Sequence, residues 1–357
     1  MSRVVHVLVL ACMLSGCSTL ASSSSSSPSA GDGATREPTV AATPTDTRSR
    51  DPHPASAPPS GDPYVDLARL LHSRGVEVWF EADLVRSWLE GPKAFAETVD
   101  RLAVLARVEG VAGFKVADEL GYGDGLETSA QVRRFLQAAD AALHRVAPGK
   151  ELLVDVVVPD LGCLPWQGES GRACAAEARA QYPAATMVAV SGYLRSGTID
   201  RLDLSTGLLD PGAYRSRDLT PTEAQQAAWA HVEALGWEDD TVLQSRKALA
   251  DRGGYRGSPD DAAADVATYV DTPVAGGAGA VDIWTWRQPY DGATVSLLDE
   301  RLRPNPLWDL LRDRAATVGL ITHMTPSAMP TDATALEGEV DLASTVFDAV
   351  FVAAGTG

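Results

Sequence analysis

From Pro63 onward, apolar runs of five to nine residues alternate with longer Ala-rich stretches whose apolar positions recur at helical spacing. The runs predict strands at Val76–Asp83, Val111–Asp118, Leu152–Val158, Met187–Ser191, Leu202–Ser205, Thr241–Ser245 and Ala280–Trp286. The longer stretches predict helices at Val65–His72, Val85–Val108, Ser129–Val146, Gly171–Gln181, Thr222–Leu235, Pro259–Val270 and Pro306–Ala316. Repeated strand-then-helix order argues for a parallel sheet with helices outside. Seven strands are visible, one fewer than a (β/α)8 barrel needs; the eighth falls in the ill-defined linkers or near Thr345–Val352. A doubly wound open sheet is the rival. Two features favour a single TIM-barrel-like α/β domain. The region is about 255 residues, the usual barrel size. No GxGxxG or GxxxxGK[ST] follows any strand, so the nucleotide loops of open sheets are missing and no cofactor is expected. The barrel is assigned to 63–323, with 324–357 as a C-terminal extension of no assigned role.

Side chains alternate along a strand, so each strand divides into a helix-facing and an inward set. In the first, Val76, Val78, Phe80 and Ala82 suit the helix side, leaving Glu77, Trp79, Glu81 and Asp83 inward. In the second, Lys115 and Glu119 point inward. Asp155 shares a face with Leu153 and Val157. In the last, Asp282, Trp284 and Trp286 oppose Val281, Ile283 and Thr285. Asp203, Arg246, Ser191 and Tyr193 join the inward group on weaker patterning. An interior with this many charges is unlike the Val/Ile/Leu filling of a purely structural barrel. Burying carboxylates is costly unless they are paired or solvated. The bland alternative is a closed ion-pair network that merely fixes the barrel.

The first 17 residues read as an address. Arg3 precedes the apolar run Val4–Leu14, too short to span a bilayer, and the run ends in Leu14-Ser15-Gly16-Cys17. This segment resembles the bacterial lipoprotein signal. The resemblance implies cleavage after residue 16, lipid on Cys17, and a protein held at the extracytoplasmic face of the cell membrane by its anchor alone. Residues 17–62, with six consecutive serines, are too polar and repetitive to bury a core. As a coil of about 45 residues they would span on the order of 35–40 Å.

Composition narrows the partners. The chain has 30 basic and 48 acidic residues and a net charge of −18, which makes nucleic acid an improbable partner. A monomer is expected. Two cysteines remain after Cys12 and Cys17: Cys163 and Cys174, in one Gly/Pro-containing stretch. Outside the cytoplasm a disulfide is the natural reading. No CxxC or HExxH accompanies them, and none of the six histidines pairs at ligand spacing, so no metal site is assigned. His323 is read as part of the tail.

Barrel enzymes place chemistry at the C-terminal ends of the strands. Gathered there are Glu81, Asp83, Asp118, Glu119, Tyr193, Arg246, Lys247, Trp284, Trp286 and Arg287, with a glycine-rich loop, Gly121–Gly125, after Glu119. Several carboxylates, aromatic platforms, no catalytic histidine and no cysteine nucleophile suit glycoside hydrolysis, which needs one protonated and one ionised carboxyl. In this layout the region loosely resembles glycoside-hydrolase barrels, although it lacks an Asn-Glu pair and a DxxDxDxE run. The resemblance implies a carbohydrate substrate of the envelope or extracellular space. Glu119 would be the acid/base and Glu81 or Asp83 its partner. Lys115, Asp155, Tyr193, Arg246, Trp284, Trp286 and Arg287 would bind substrate. Two other classes stay open: a non-catalytic glycan- or protein-binding barrel, and a metal-dependent hydrolase using Asp and Glu alone.

Overall fold

A computed structural model describes residues 60–165, 168–207, 211–216 and 218–353. The signal segment, Cys17 and nearly all of the linker lie outside them. Eight parallel strands close into a barrel: β1 (Glu77–Glu81), β2 (Val111–Ala117), β3 (Glu151–Val157), β4 (Arg201–Ser205), β5 (Val242–Ala248), β6 (Ala280–Tyr290), β7 (Gly319–Met324) and β8 (Ala349–Ala353). Neighbours in sequence are neighbours in the sheet, and β8 returns to β1. The expected (β/α)8 TIM-barrel fold is the observed one. The register sets Glu81 beside Lys115, Asp155 beside Asp203, Arg246 beside Asp282, and Phe351 beside His323.

The last two strands correct the expected boundary at 323/324. β7 crosses that boundary, and the residues after it supply a helix at Ala333–Ala343 and the closing strand β8. A cylinder left open there would expose the edges of β1 and β7, so residues 324–353 belong to the barrel rather than to an extension. The run Met187–Ser191 is helix, not strand: Thr186 caps Met187–Leu194 by accepting from the Ala189 N–H. Buried on most of its surface, that helix shows no polar face, and a short all-apolar run carries no period to distinguish it from a strand. The expected helix Val85–Val108 is two, Leu84–Glu90 and Pro92–Leu105. Gly91, at φ 120°, turns the chain between them, and Pro92 opens the second.

Local chemistry starts the outer helices where they are needed. Thr128, Thr220 and Ser258 each form a reciprocal capping box with Gln131, Glu223 and Asp261. Asp62, at the end of the expected linker, caps the first helix, Pro63–Ser73. Cys163 and Cys174 are disulfide-bonded with Cα atoms 5.7 Å apart, as expected. Closing a loop of this size stabilises the fold by about 2–3 kcal/mol. The bridge ties the β3 loop to helix Gly168–Gln181, on which the only buried residue is Gly171. Among the described residues no helix is long and apolar enough to cross a membrane.

The main core fills the space between strands and helices. A second, smaller cluster lies inside the barrel: Trp79, Leu153, Ile321, Ala349 and Phe351. Gly113 makes room for it, since a Cβ there would lie 2.5 Å from the Trp79 ring and 2.2 Å from the Glu151 carbonyl oxygen. Below, Trp79 Nε1 donates to Glu77 Oε1 (2.7 Å), and Arg201, over the Trp79 ring at 4.7 Å, pairs with Glu151.

Candidate functional site

Directly above that apolar floor the barrel interior becomes charged. Lys115, with no exposed surface, has Nζ 3.4 Å from Glu81 Oε1, 3.4 Å from Asp118 Oδ1 and 3.5 Å from Asp155 Oδ2. Arg246 Nη1 donates to Asp118 Oδ1 at 3.0 Å and pairs with Asp155. His323 stands between two carboxylates, with Nδ1 2.8 Å from Glu81 Oε2 and Nε2 2.8 Å from Asp282 Oδ2. Asp282 in turn lies within hydrogen-bond reach of Asp203. The two Asp203 oxygens and Asp282 Oδ1 find no donor among the surrounding groups. A proton kept on Asp203 supplies one, because a protonated carboxyl can donate to an ionised neighbour.

Each titratable group is pushed by burial and then by its neighbours. Burial opposes the charge of Glu81, but Lys115 and His323 outweigh it and hold the carboxyl below its usual range. Asp118 behaves likewise under Arg246 and Lys115, although its side chain is 47% exposed and solvent weakens the pull. Burial also opposes ionisation of Asp282, yet His323 brings it down to about 2. Asp203 goes the other way: burial and the Asp282 charge raise it well above the carboxylate range. His323 is raised, because Asp282 and Glu81 together overcome its desolvation. Glu119 is raised by burial, which the Arg246 charge only partly offsets.

The structure brings Glu81, Lys115, Asp155 and Arg246 together, and places Glu119 beside them at the mouth. Glu119 follows β2 in the left-handed region, with φ 52°, and its carbonyl accepts from the Tyr122 N–H. The glycine-rich loop is organised by Asp124, which accepts from the Gly121 and Leu126 N–H groups. Trp284 is partly exposed, donates to Gln288 Oε1 and packs edge-on against Tyr290 at 5.1 Å.

Four expected residues are placed elsewhere. Asp83 leaves the barrel wall as an exposed N-cap, accepting from the Arg86 N–H. Tyr193 belongs to the helix once read as a strand, and its hydroxyl donates to the Ala184 carbonyl. Trp286 faces the helix layer, with its ring against Trp308 and Phe347 and its Nε1 donating to Glu339. Arg287 pairs with the same Glu339 at 3.0 Å. Strict alternation fails here because the register shifts between Ile283 and Arg287, where β6 leaves the barrel to pair with Ala293–Ser296.

His323, expected in the C-terminal tail, instead lies on β7 and enters the site. Its signal was the run Gly319–Met324, in which Ile321 and His323 share the face opposite Leu320, Thr322 and Met324. Asp118, expected only as one of the groups at the strand ends, bridges both cations. Among the described residues no group of three or more His, Cys, Asp and Glu side chains is arranged to hold a metal ion. Lys115 and Arg246 stand between the carboxylates instead.

No protein-family model and no curated protein sequence matches the chain. Among solved structures it is similar to the D-psicose 3-epimerase of Clostridium cellulolyticum H10 with D-tagatose: 12% identity over 78% of this chain and 84% of that one, TM-score 0.42. It is also similar to the carboxyl transferase domain of Rhizobium etli pyruvate carboxylase with oxamate and biotin: 13% identity over 82% of this chain and 42% of that one, TM-score 0.41. Likeness at this level says nothing about what this site binds or transforms.

Proposed function

We propose that the chain is a hydrolase of glycosidic bonds, with Glu119 as the acid/base and Asp118 as its ionised partner. One observation carries the reading. Two adjacent carboxyls at the C-terminal mouth are pushed in opposite directions, Glu119 toward holding its proton and Asp118 toward losing it. Groups driven apart in this way are suited to acid and base roles at one pH. The Glu119 side chain is partly exposed at that mouth, where a leaving oxygen would meet it. Glu81 is less suited to be the partner, because its side chain is 15% exposed against 47% for Asp118, which leaves Asp118 the carboxylate open to the mouth. Lys115 and Arg246 would keep Asp118 charged while Glu119 cycles, and Trp284 offers a ring surface at the same mouth.

A second reading has its own support. Glu81, Asp155 and Asp282 are all engaged by Lys115, Arg246 or His323, as in a closed ion-pair network that fixes a non-catalytic barrel and leaves its mouth for binding alone. A glycan hydrolysis screen, run with Glu119→Gln beside the unaltered protein, separates the two. Turnover lost in the variant supports hydrolysis. Binding without turnover in both supports the binding barrel. The anchor is a separate proposal: Cys17→Ala should abolish lipid labelling and move the protein to soluble fractions, and unchanged labelling would remove it.

A further inference from the structure

His323 has one property that the roles of Glu119 and Asp118 do not use. It is 1% exposed, and both ring nitrogens lie 2.8 Å from a carboxylate oxygen. A neutral imidazole has one N–H, so it can donate to one of these oxygens only; its other nitrogen would set a lone pair against an anion. An imidazolium donates to both. We propose that His323 is a buried imidazolium and a positioning residue of the site: by neutralising Glu81 and Asp282 it leaves Lys115 and Arg246 to hold Asp118 as an anion beside Glu119. The role assigned to Asp118 and Glu119 rests on the hydrolase reading; the charge state of His323 does not.

The surrounding groups are consistent with this. Facing the ring region are Glu81 from β1, Lys115 and Asp118 from β2 and its end, Asp155 from β3, Asp203 from β4, Arg246 from β5 and Asp282 from β6. From β8 the neighbour is uncharged, the Phe351 ring at 4.9 Å. Lys115 opposes a charge on His323, and the two bonded carboxylates favour it more strongly. With Asp203 protonated, Lys115, Arg246 and the imidazolium stand against Glu81, Asp118, Asp155 and Asp282. Without the imidazolium, two cations would serve four anions. Glu81 would then draw on Lys115 alone, and Asp118 would have to share it.

The test uses the intact protein labelled with 15N at histidine and 13C at side-chain carboxyls. At pH 7 both His323 ring nitrogens should show protonated shifts and both N–H couplings, persisting well above the pH at which an exposed histidine loses its charge. A single protonated nitrogen at pH 7 would overturn the proposal, and this measurement needs no variant. In His323→Gln, whose amide cannot donate to both sides as the ring does, the Glu81 carboxyl should titrate about 1–3 units higher. Asp118 should move upward by less. Unmoved Glu81 and Asp118 titrations in a folded variant would also count against it. If the protein hydrolyses a glycan, the acidic limb of kcat/KM should move up with Asp118, which simple loss of stability would not produce. Doubly protonated His323 in a protein that cleaves no glycan would sink the hydrolase reading and leave the imidazolium standing.

Discussion

The barrel interior holds two layers, and on the three strands that contribute to both, β1, β3 and β7, they lie one pleat apart. The lower is Trp79, Leu153, Ile321, Ala349 and Phe351. The upper is Glu81, Lys115, Asp155, Asp203, Arg246, Asp282 and His323. Trp79 and Glu81, Leu153 and Asp155, and Ile321 and His323 are pairs two residues apart on one face, roughly 6.6 Å along a strand. Backbone geometry treats the two layers alike, and only side-chain identity separates them. The lower layer is held by dispersion and exclusion of water, so its energetics depend on volume. The upper layer is held by matching of charge, so its energetics depend on every partner being present. The floor also matters to the roof. By closing the barrel below, it keeps water from the charged layer, where each interaction is then stronger than it would be in solvent.

Four measurements would break or sharpen this contrast. The largest effect should come at the mouth: Glu119→Gln keeps shape and removes proton transfer, so turnover of a cleaved glycan should fall by about 10²–10⁴ with little change in Tm. Normal turnover in this variant would return Glu119 to a structural role.

Next is Lys115→Met. It leaves Glu81, Asp155 and part of Asp118 without a shared cation, and urea unfolding at pH 7 should show a loss of about 3–5 kcal/mol. The loss should shrink at low pH, where the carboxylates take up protons. A loss under about 1 kcal/mol would mean that water already solvates this layer.

Ile321→Val tests the floor. Removing one methylene from a packed site should cost about 0.5–1.5 kcal/mol, and the same amount at pH 5.5 and pH 8. A pH-dependent cost would show that the two layers are not separable.

The smallest effect is the pH dependence of the charged layer. His323 and Asp203 have folded values raised above their unfolded ones. The stability they contribute is therefore present at low pH and lost as pH rises through the folded values. Glu81, Asp118 and Asp282 have lowered folded values, so their contribution is present above the unfolded carboxylate range and lost as pH falls. The layer should be most stable in mildly acidic solution. Asp203→Asn keeps a donor toward Asp282 and removes one titration. The fall in Tm between pH 5.5 and pH 8 should be smaller in that variant than in the unaltered protein; an equal or larger fall would assign the alkaline loss to other groups.

Some of this was fixed by residue order alone. Alternation along Glu77–Glu81, Val111–Ala117 and Glu151–Val157 is a backbone property, so Glu81, Lys115 and Asp155 were inward before any tertiary contact was known. Repeated strand-helix order required parallel strands, and two cysteines eleven positions apart in one short stretch required little more than proximity to pair. Other features depended on what each segment packs against. Met187–Leu194 is apolar at most positions, including the exposed Val188, and a short run that is apolar on both its buried and its open side has no period to read. Trp286 turns outward where β6 changes partners, a shift set by the neighbouring strand β7. Asp83 follows the helix it caps instead of its strand. His323 became central only because β7 and β8 complete the cylinder and carry it to Glu81, 242 positions away in sequence, and to Asp282. Sequence determines which face a side chain takes; closure of the barrel decides which charges meet on it, because their energies depend on partners that only folding brings within 3–4 Å.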